Sequence, residues 1–155
     1  MSDDQLKDWL GDLADNLRPS DLAEIDATSE HDPLLTLVMS VMLSDMAWVL
    51  TCDGRPITIF GCSPEDQPPG EAIVWMMGTP EMDEPRNAIT ILRSTAPYLG
   101  AMHAAYSRLW NHIDARNAKS MRWLKWSGFT VVSEHHGFGR SGETFYLFER
   151  TADLV

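Results

Sequence analysis

Residues 108–129 read RLWNHIDARNAKSMRWLKWSGF, and this stretch predicts a strand, a capped helix and a second strand in succession. Residues 109–115 combine aromatic and β-branched side chains and contain no glycine or proline, which is typical of a buried strand. Asn117 is a favoured helix N-cap, because its side chain accepts a hydrogen bond from an N–H group that the helix leaves free. Residues 118–127 then predict a short helix, and Gly128 is the residue type that ends helices in the left-handed conformation. The apolar residues that follow predict the next strand.

Helices and strands are also predicted along the rest of the chain. Asp53-Gly54 lies between two β-rich arms and is a strong signal for a hairpin turn. Pro85 suits the first turn of a long helix, and Pro97 is expected to kink or interrupt that helix. The predicted elements are helices over 3–16, 21–27, 34–44, 85–106 and 118–127 and strands over 46–52, 56–62, 71–77, 109–115, 129–135 and 143–149.

The order of these elements predicts the α/β (α+β) class, with a mixed central sheet, helices on both faces and a parallel step across the long helix. The whole chain, 1–155, is expected to be one domain that buries roughly two-thirds of its unfolded surface. It would comprise a helical part over 1–45, a sheet-containing core over 46–150 and a frayed tail over 151–155. The third helix is apolar and is predicted to be buried, with Met39 and Met42 in the core.

Charge and cysteine content bear on partners and location. The net charge of -11 argues against nonspecific binding of nucleic acid. Residues 1–30 hold nine acidic and two basic residues, whereas residues 86–126 hold seven basic and one acidic residue. The basic segment is open to two interpretations, an anion or partner site and a solvated helix face. Two cysteines make no disulfide framework, no apolar run reaches the ~20 residues of a membrane span, and the acidic N-terminus lacks signal-peptide features. A soluble, cytoplasmic protein with no membrane partner is therefore expected.

Three features together resemble the GNAT (acyl-CoA N-acyltransferase) family. They are the hairpin turn at Asp53-Gly54, the strand over 72–77, and Asn117 followed by a helix and Gly128. The last feature is similar to the closing signature of the family, an Asn, a helix and a Gly-Phe pair. The resemblance covers most of the chain after the N-terminal helices and implies a GNAT-like sheet.

A narrower likeness lies inside that family. Leu109-Trp110-Asn111, Asn117 and the helical residues 122–125, which read RWLK, resemble the small internal virion (core) proteins of short-tailed coliphages. Those proteins are themselves GNAT-like in their C-terminal half. The likeness implies a bacteriophage protein whose partner is a virion or host protein.

The GNAT resemblance also implies where an acetyl-CoA site would lie. In the family, a Gln/Arg-x-x-Gly-x-Gly/Ala loop holds the pyrophosphate with backbone N–H groups at a helix N-terminus. Residues 78–86 read GTPEMDEPR, with no Gly-x-Gly, two prolines and three carboxylates, and Arg86 alone is a poor substitute. No cofactor is therefore expected, or acetyl-CoA if the protein is enzymatically active. The candidate cofactor-binding residues are Met76, Met77, Gly78, Arg86, Asn117 and Ser120.

Few residues match the catalytic needs of the family. Its general acid is commonly a Tyr four residues before the closing Gly, and Leu124 at that position cannot donate a proton. His112 and Asp114 share one face of their strand and are the catalytic candidates for a base near the amine. The alternative is that they form a satisfied, partly buried polar pair. His135 and His136 are adjacent on a strand and point to opposite faces, so no metal site is predicted.

The leading prediction is a non-catalytic function in virion internal-core assembly or morphogenesis, exercised by binding a protein. The alternatives are an active acetyl-CoA-dependent N-acetyltransferase that modifies a host protein or a small amine, and a binder or inhibitor of a host enzyme. An enzyme predicts an open cleft between the strands at Met77 and Leu109. A binding module predicts that Trp75 or Trp110 fills this cleft.

Overall fold

In the computed structural model, which describes residues 1–152, six strands form one mixed sheet. The α-helices of the described residues are α1 Asp3–Asp15, α2 Pro19–Thr28, α3 Pro33–Leu43, α4 Pro85–Ala105 and α5 Ala118–Trp126. The strands are β1 Met46–Cys52, β2 Arg55–Ser63, β3 Glu71–Gly78, β4 Arg108–Asp114, β5 Thr130–His135 and β6 Phe145–Thr151. A 3-10 helix over Pro80–Asp83 occupies the acidic stretch before α4.

The strands run in the order β1-β2-β3-β4-β6-β5, and only β3 and β4 pair in parallel. This parallel step crosses over α4, as the sequence predicts. The β1–β2 hairpin turns at Asp53 and Gly54, whose φ angles of 51° and 78° are the left-handed values that such turns require. The predicted mixed sheet with one parallel step is confirmed.

Apolar cores lie on both faces of the sheet. On one face, Leu13 of α1 and Leu37 of α3 share a buried cluster with Ile59 of β2. On the other face, Leu99 of α4 shares a buried cluster with Leu109 of β4. The helices therefore cover both faces, as predicted.

The segment that follows β4 has the predicted local structure. Asn117 begins α5 and its side chain accepts a hydrogen bond from Ser120 N at 3.2 Å. Gly128 follows the helix with φ of 92°, the left-handed value that favours glycine. β5 then begins at Thr130.

The third helix differs from its prediction. Leu37 is buried, but Met39 and Met42 are 39% and 77% exposed. The reason is that α3 meets α1, α2 and β2 through one part of its surface, so Met39 and Met42 lie on a side that these elements leave exposed. The apolar composition of α3 predicted burial on all sides, and that prediction is wrong.

The long helix and the C-terminus also differ in detail. α4 runs unbroken through Pro97, because Ile91 before it and Leu99 after it are both buried and hold the helix against the sheet. Thr151, expected in a frayed tail, is the last residue of β6, and Ala152 N donates to the Ser107 carbonyl oxygen at 2.8 Å. The rest of the predicted tail lies outside the described residues. None of the helices described is both long and apolar enough to cross a membrane.

Candidate functional site

A cleft opens where β3 and β4 separate. Their parallel pairing is limited to three residue pairs and ends at Ile73 opposite Trp110. Just beyond, Asn111 Nδ2 donates to the Val74 carbonyl oxygen at 2.7 Å and is the last tie between the two strands. The cleft has a volume of about 600 Å³ and reaches from α2 on one face of the sheet to α4 and α5 on the other.

Neither tryptophan of β3 or β4 closes this cleft. Trp75 forms part of the wall, and its Nε1 donates to Ser44 Oγ at 2.7 Å, which holds the ring towards α3. Trp110 does not line the cleft, because its Nε1 donates to Gln67 Oε1 at 3.1 Å and the Arg108 guanidinium lies 5.2 Å from its ring centroid. The cleft is therefore open, the arrangement that an enzyme predicts.

The segment that would hold a pyrophosphate has several of its backbone N–H groups already bonded. Gly78 N donates to Asp21 Oδ2 at 3.0 Å, and Thr79 N donates to the Ile57 carbonyl oxygen at 2.9 Å. Met82 N donates to the Thr79 carbonyl oxygen at 3.1 Å. A Cβ at Gly78 would lie 2.3 Å from Met82 Sδ, so the chain packs tightly here. This segment does not fit a pyrophosphate.

A buried arginine that the sequence did not mark holds the same segment. Arg18 donates from Nε and Nη2 to the two carboxylate oxygens of Asp21, at 2.9 and 3.0 Å. Its Nη1 donates to Asp83 Oδ1 at 3.0 Å. Arg18 thus neutralises one of the carboxylates that stand where phosphates would bind. Arg86, the predicted cofactor ligand, is exposed and does not line the cleft.

The other predicted cofactor residues lie around the cleft. Met76 and Met77 line it from β3, and Asn117 and Ser120 line it from the start of α5. Leu124, at the position where the family commonly carries its acid, also lines it, as does Trp123. The Trp123 Nε1 is buried and has no hydrogen-bond partner among the described residues. The predicted residues of β3 and α5 therefore border one cleft.

The catalytic candidates His112 and Asp114 do not form a pair. The His112 ring stacks on Phe138 with 4.3 Å between centroids, and burial and the neighbouring His135 lower its pKa. The buried Asp114 carboxylate instead accepts from Arg116 Nη2 at 2.6 Å. Burial alone would raise the pKa of Asp114, but the hydrogen bonds and charge of Arg116 outweigh it and hold that pKa below its usual value. The role of these two residues stays a prediction.

A carboxylate from α2 lies at the end of β4 instead. Glu24 Oε1 accepts hydrogen bonds from Asp114 N at 3.0 Å and from Asn117 Nδ2 at 3.5 Å. Burial raises the pKa of Glu24 to about 7, and this effect outweighs the lowering by the hydrogen bonds from Asp114 N and Asn117, while the neighbouring carboxylates of Asp21 and Asp114 raise the pKa further. No Lys, Arg or His of residues 1–152 forms an ion pair with Glu24. Glu24 also lines the cleft, so it can exchange a proton there near neutral pH.

Sequence reasoning missed Glu24 because it is one of nine acidic residues among the first thirty. The one usable signal is the helical spacing of Asp21, Glu24 and Thr28, which places Glu24 on the same side of α2 as the buried Asp21. Nothing in that spacing points to β4.

Comparison with solved structures identifies the class of fold. A GCN5-related N-acetyltransferase from Kribbella flavida superposes with a TM-score of 0.67 at 14% identity, over 98% of this chain and 95% of that one. The ribosomal-protein-S5-alanine acetyltransferase from Vibrio fischeri gives a TM-score of 0.67 at 16% identity, over 96% and 90%. A putative acetyltransferase from Salmonella typhimurium, solved with its cofactor acetyl-CoA, gives 0.64 at 12% identity, over 79% and 73%.

The chain therefore has the fold of the GNAT acetyltransferases, and at these identities the similarity establishes the fold alone. No family model matches the sequence, and no curated protein matches it. The narrower likeness to internal virion proteins stays a prediction.

Proposed function

We propose that this protein is an acyltransferase that moves an acetyl group from a pantetheine thioester, acetyl-CoA, to an amine. The observation that carries the proposal is the open cleft between β3 and β4, which has Glu24 at its α2 side and Trp123 at its α5 side. The shared fold of acetyltransferases, one of them solved with acetyl-CoA, supports it.

In this proposal, each residue of the cleft has a separate role. Acetyl-CoA would supply an acetyl group already activated as a thioester. Asn111 keeps β3 and β4 tied at the closed end of the cleft, and Trp123 lines its α5 side. Glu24 accepts the proton that the amine nitrogen releases, and Asp114 N and Asn117 Nδ2 hold its carboxylate in place.

The proposal can be tested with two ligands that differ only in the nucleotide. We expect acetyl-CoA and S-acetylpantetheine, which lacks the nucleotide, to bind with affinities within about threefold of each other, because Gly78 N and Thr79 N are already bonded and the carboxylates of the segment repel phosphates. Isothermal titration calorimetry measures both affinities. Arg86→Ala should change neither, since Arg86 is exposed and outside the cleft.

A cleft-filling variant tests the location. Ser120→Trp places a large ring on the cleft side of α5 and should abolish binding of both ligands. The matched control is Lys119→Trp, because Lys119 is exposed, adjacent and not part of the lining. Absence of any heat with either ligand at millimolar concentration would refute the proposal.

A second candidate function is protein binding in virion internal-core assembly, with inhibition of a host enzyme as its variant. The observation that favours it is the exposed apolar side of α3, where Leu35, Met39 and Met42 recur at helical spacing with 42%, 39% and 77% exposure. The resemblance to internal virion proteins points the same way. Mass spectrometry of purified phage particles tests this role: the protein should be present, and Met42→Glu should deplete it.

A further inference from the structure

The outer side of α5 carries cations that the rest of the chain does not neutralise. Lys119, Arg122 and Lys125 are exposed, and none of them forms an ion pair within residues 1–152. Trp126 shares this side of the helix, because Lys119, Arg122 and Trp126 recur at i, i+3 and i+7 spacing. The Trp126 side chain is 77% exposed. We call these four residues the basic stripe.

The outer side of α1 has the opposite charge. Four exposed aspartates recur there at i, i+4, i+8 and i+11 spacing, which places them on one side of the helix: Asp4, Asp8, Asp12 and Asp15. We call these four residues the acidic stripe. Lys7 is the one cation of α1, and it lies 3.9 Å from the Asp4 carboxylate, with both side chains exposed. The acidic stripe therefore keeps most of its charge.

A glycine interrupts the acidic stripe. Gly11 lies between Asp8 and Asp15 on the same side of α1. Apart from the backbone of the helix itself, a Cβ at Gly11 would have no atom of the described residues within 4 Å. Glycine inside a helix is less favourable than alanine, because it loses more conformational freedom on folding. Packing within the chain does not require this glycine, and its missing side chain leaves a notch where another chain can approach the backbone closely.

The two stripes cannot meet within one chain, because α1 covers one face of the sheet and α5 covers the other. Between two copies, their spacing matches when the two helices lie side by side in the same direction. If Trp126 of one copy is placed opposite Gly11 of the other, the residues seven positions earlier also face each other. Those residues are Lys119 and Asp4, a cation and an anion.

A second ion pair fixes the direction of the helices. In the parallel arrangement Arg122 faces Asp8, since these residues lie four and three positions before the matched ring and glycine. In the opposite direction Arg122 would face Asp15, but Lys119 would pass the end of α1. The parallel arrangement therefore forms two charge pairs and the antiparallel arrangement forms one. An exposed tryptophan flanked by arginine has the composition of an interface centre.

We propose that this protein binds a second copy of itself, with the basic stripe of one copy on the acidic stripe of the other and Trp126 seated on Gly11. The two stripes lie on opposite faces of each copy, so the contact is heterologous and successive copies join head to tail into a ring or a growing chain. The inference is independent of the proposed acetyltransferase function, since no residue of either stripe lines the cleft.

Sedimentation velocity measures the association. At about 20 mM salt, the sedimentation coefficient should rise as the protein concentration increases from about 10 to about 500 µM. At about 0.5 M salt it should fall to the value of the monomer, because salt screens exposed charges. A monomer at every concentration in low salt would overturn the proposal. So would association that is unchanged at high salt, since an apolar contact such as the exposed side of α3 is not weakened by screening.

An exchange of charges tests the pairing of the stripes. The double variant Lys119→Glu with Arg122→Glu should stay monomeric at concentrations where the unaltered protein associates, and so should Asp4→Lys with Asp8→Lys. An equimolar mixture of the two variants should associate again, because each then meets a stripe of opposite charge. All four residues are exposed, so these substitutions leave the core intact. A mixture that stays monomeric would show that the two stripes do not bind each other.

A matched variant controls for net charge. Arg86→Glu with Arg93→Glu changes the net charge by the same amount, at exposed positions of α4 outside both stripes. Its dissociation constant should stay within about threefold of that of the unaltered protein. A loss of association equal to that of the α5 variant would mean that overall repulsion governs the association, and the proposal would fail.

The seat of the ring is tested last. Trp126→Ala should weaken association at least about tenfold, whereas Met42→Ala should not, although Met42 is also 77% exposed. Gly11→Leu should raise the melting temperature, because leucine is the better helix former, and should weaken association at least about tenfold, because it fills the notch. A Gly11→Leu protein that associates as tightly as the unaltered one would overturn the placement of Trp126.

Discussion

The environment of Glu24 differs from that of the acidic residues near it in sequence. It belongs to an acidic helix, yet its carboxylate meets the end of β4 and the cap of α5. Around it stand the carboxylates of Asp21 and Asp114, the latter bound by Arg116, and no cation contacts it directly among the described residues. The chemical consequence is that Glu24 can accept a proton near neutral pH. The thermodynamic consequence is that the ionised Glu24 carboxylate destabilises the folded protein.

The pH dependence of stability follows from this raised pKa. The ordinary pKa of a glutamate is near 4.5 and the folded value is about 7, so the unfolded chain releases this proton first as pH rises. Stability is therefore lost between these two values and stays lower above them, by up to about 3 kcal/mol. Glu24→Gln keeps the hydrogen-bond acceptor and removes the charge, so it should raise the melting temperature near pH 8 and leave it unchanged near pH 4.

Thermal unfolding followed by circular dichroism at the two pH values measures this effect. Glu65→Gln provides the control, because Glu65 is exposed and forms no ion pair among the described residues, so the melting temperature of this variant should match that of the unaltered protein. A Glu24→Gln protein that is no more stable than the unaltered one at the higher pH would show that Glu24 ionises without penalty.

At the scale of elements, α2 is the part that assembles the site. Its first turn is bonded to the end of β3 through Arg18 N and the Gly78 carbonyl oxygen, at 2.9 Å, and through the Asp21 carboxylate. Its last turn is bonded to the loop between β5 and β6 through Arg140. The helix therefore fixes the ends of two segments that border the cleft, and its attachment at Arg18 should dominate its stability.

Arg18→Ala tests that attachment. The substitution leaves the Asp21 carboxylate, which is 3% exposed, without a cation, and we expect the free energy of unfolding to fall by about 3–5 kcal/mol. Urea unfolding measures it. Arg55→Ala is the matched control, because the Arg55–Glu81 ion pair is exposed and such pairs contribute little. A loss with Arg18→Ala no larger than with Arg55→Ala would mean that the buried network does not hold α2.

At the scale of the whole molecule, the two cysteines lie at opposite ends of the β1–β2 hairpin. Cys52 lies beside the hairpin turn, opposite Arg55, whereas Cys62 lies at the far end of the hairpin, opposite Met46. They are free thiols in different surroundings: Cys52 is half-exposed and Cys62 is buried. The pattern of two cysteines on one hairpin left their proximity open, and the register shows that they do not meet.

Thiol reactivity should report this burial. Burial raises the pKa of Cys62 to about 12, with a further contribution from Asp45, so its thiolate is scarce in the folded protein. Titration with a chromogenic disulfide reagent should detect one thiol in the native protein and two after denaturation. Cys52→Ser should leave none reactive in the native state. Two fast thiols without denaturant would contradict the packing of β2 against its neighbours.

The sequence by itself determined the features that depend on residues close together in the chain. The cap at Asn117, the left-handed end at Gly128 and the hairpin turn at Asp53-Gly54 each follow from side-chain and backbone preferences over a few residues. Part of the site could also be predicted from the sequence, since Ser120 lies in the pattern of Asn117, a helix and Gly128 that resembles the GNAT family. The exposure of Met42 could not, because composition does not reveal which helix face is covered.

Only the tertiary structure decided the chemistry of the cleft. Glu24 and Asp114 are 90 residues apart, and Arg140 and Ala27, which are joined by a backbone hydrogen bond, are still further apart in sequence. The opening between β3 and β4 depends on where their pairing stops, at Ile73. Such contacts arise when distant surfaces meet during packing, and they set both the pKa of Glu24 and the shape of the cleft. Neither property is encoded in any short run of residues.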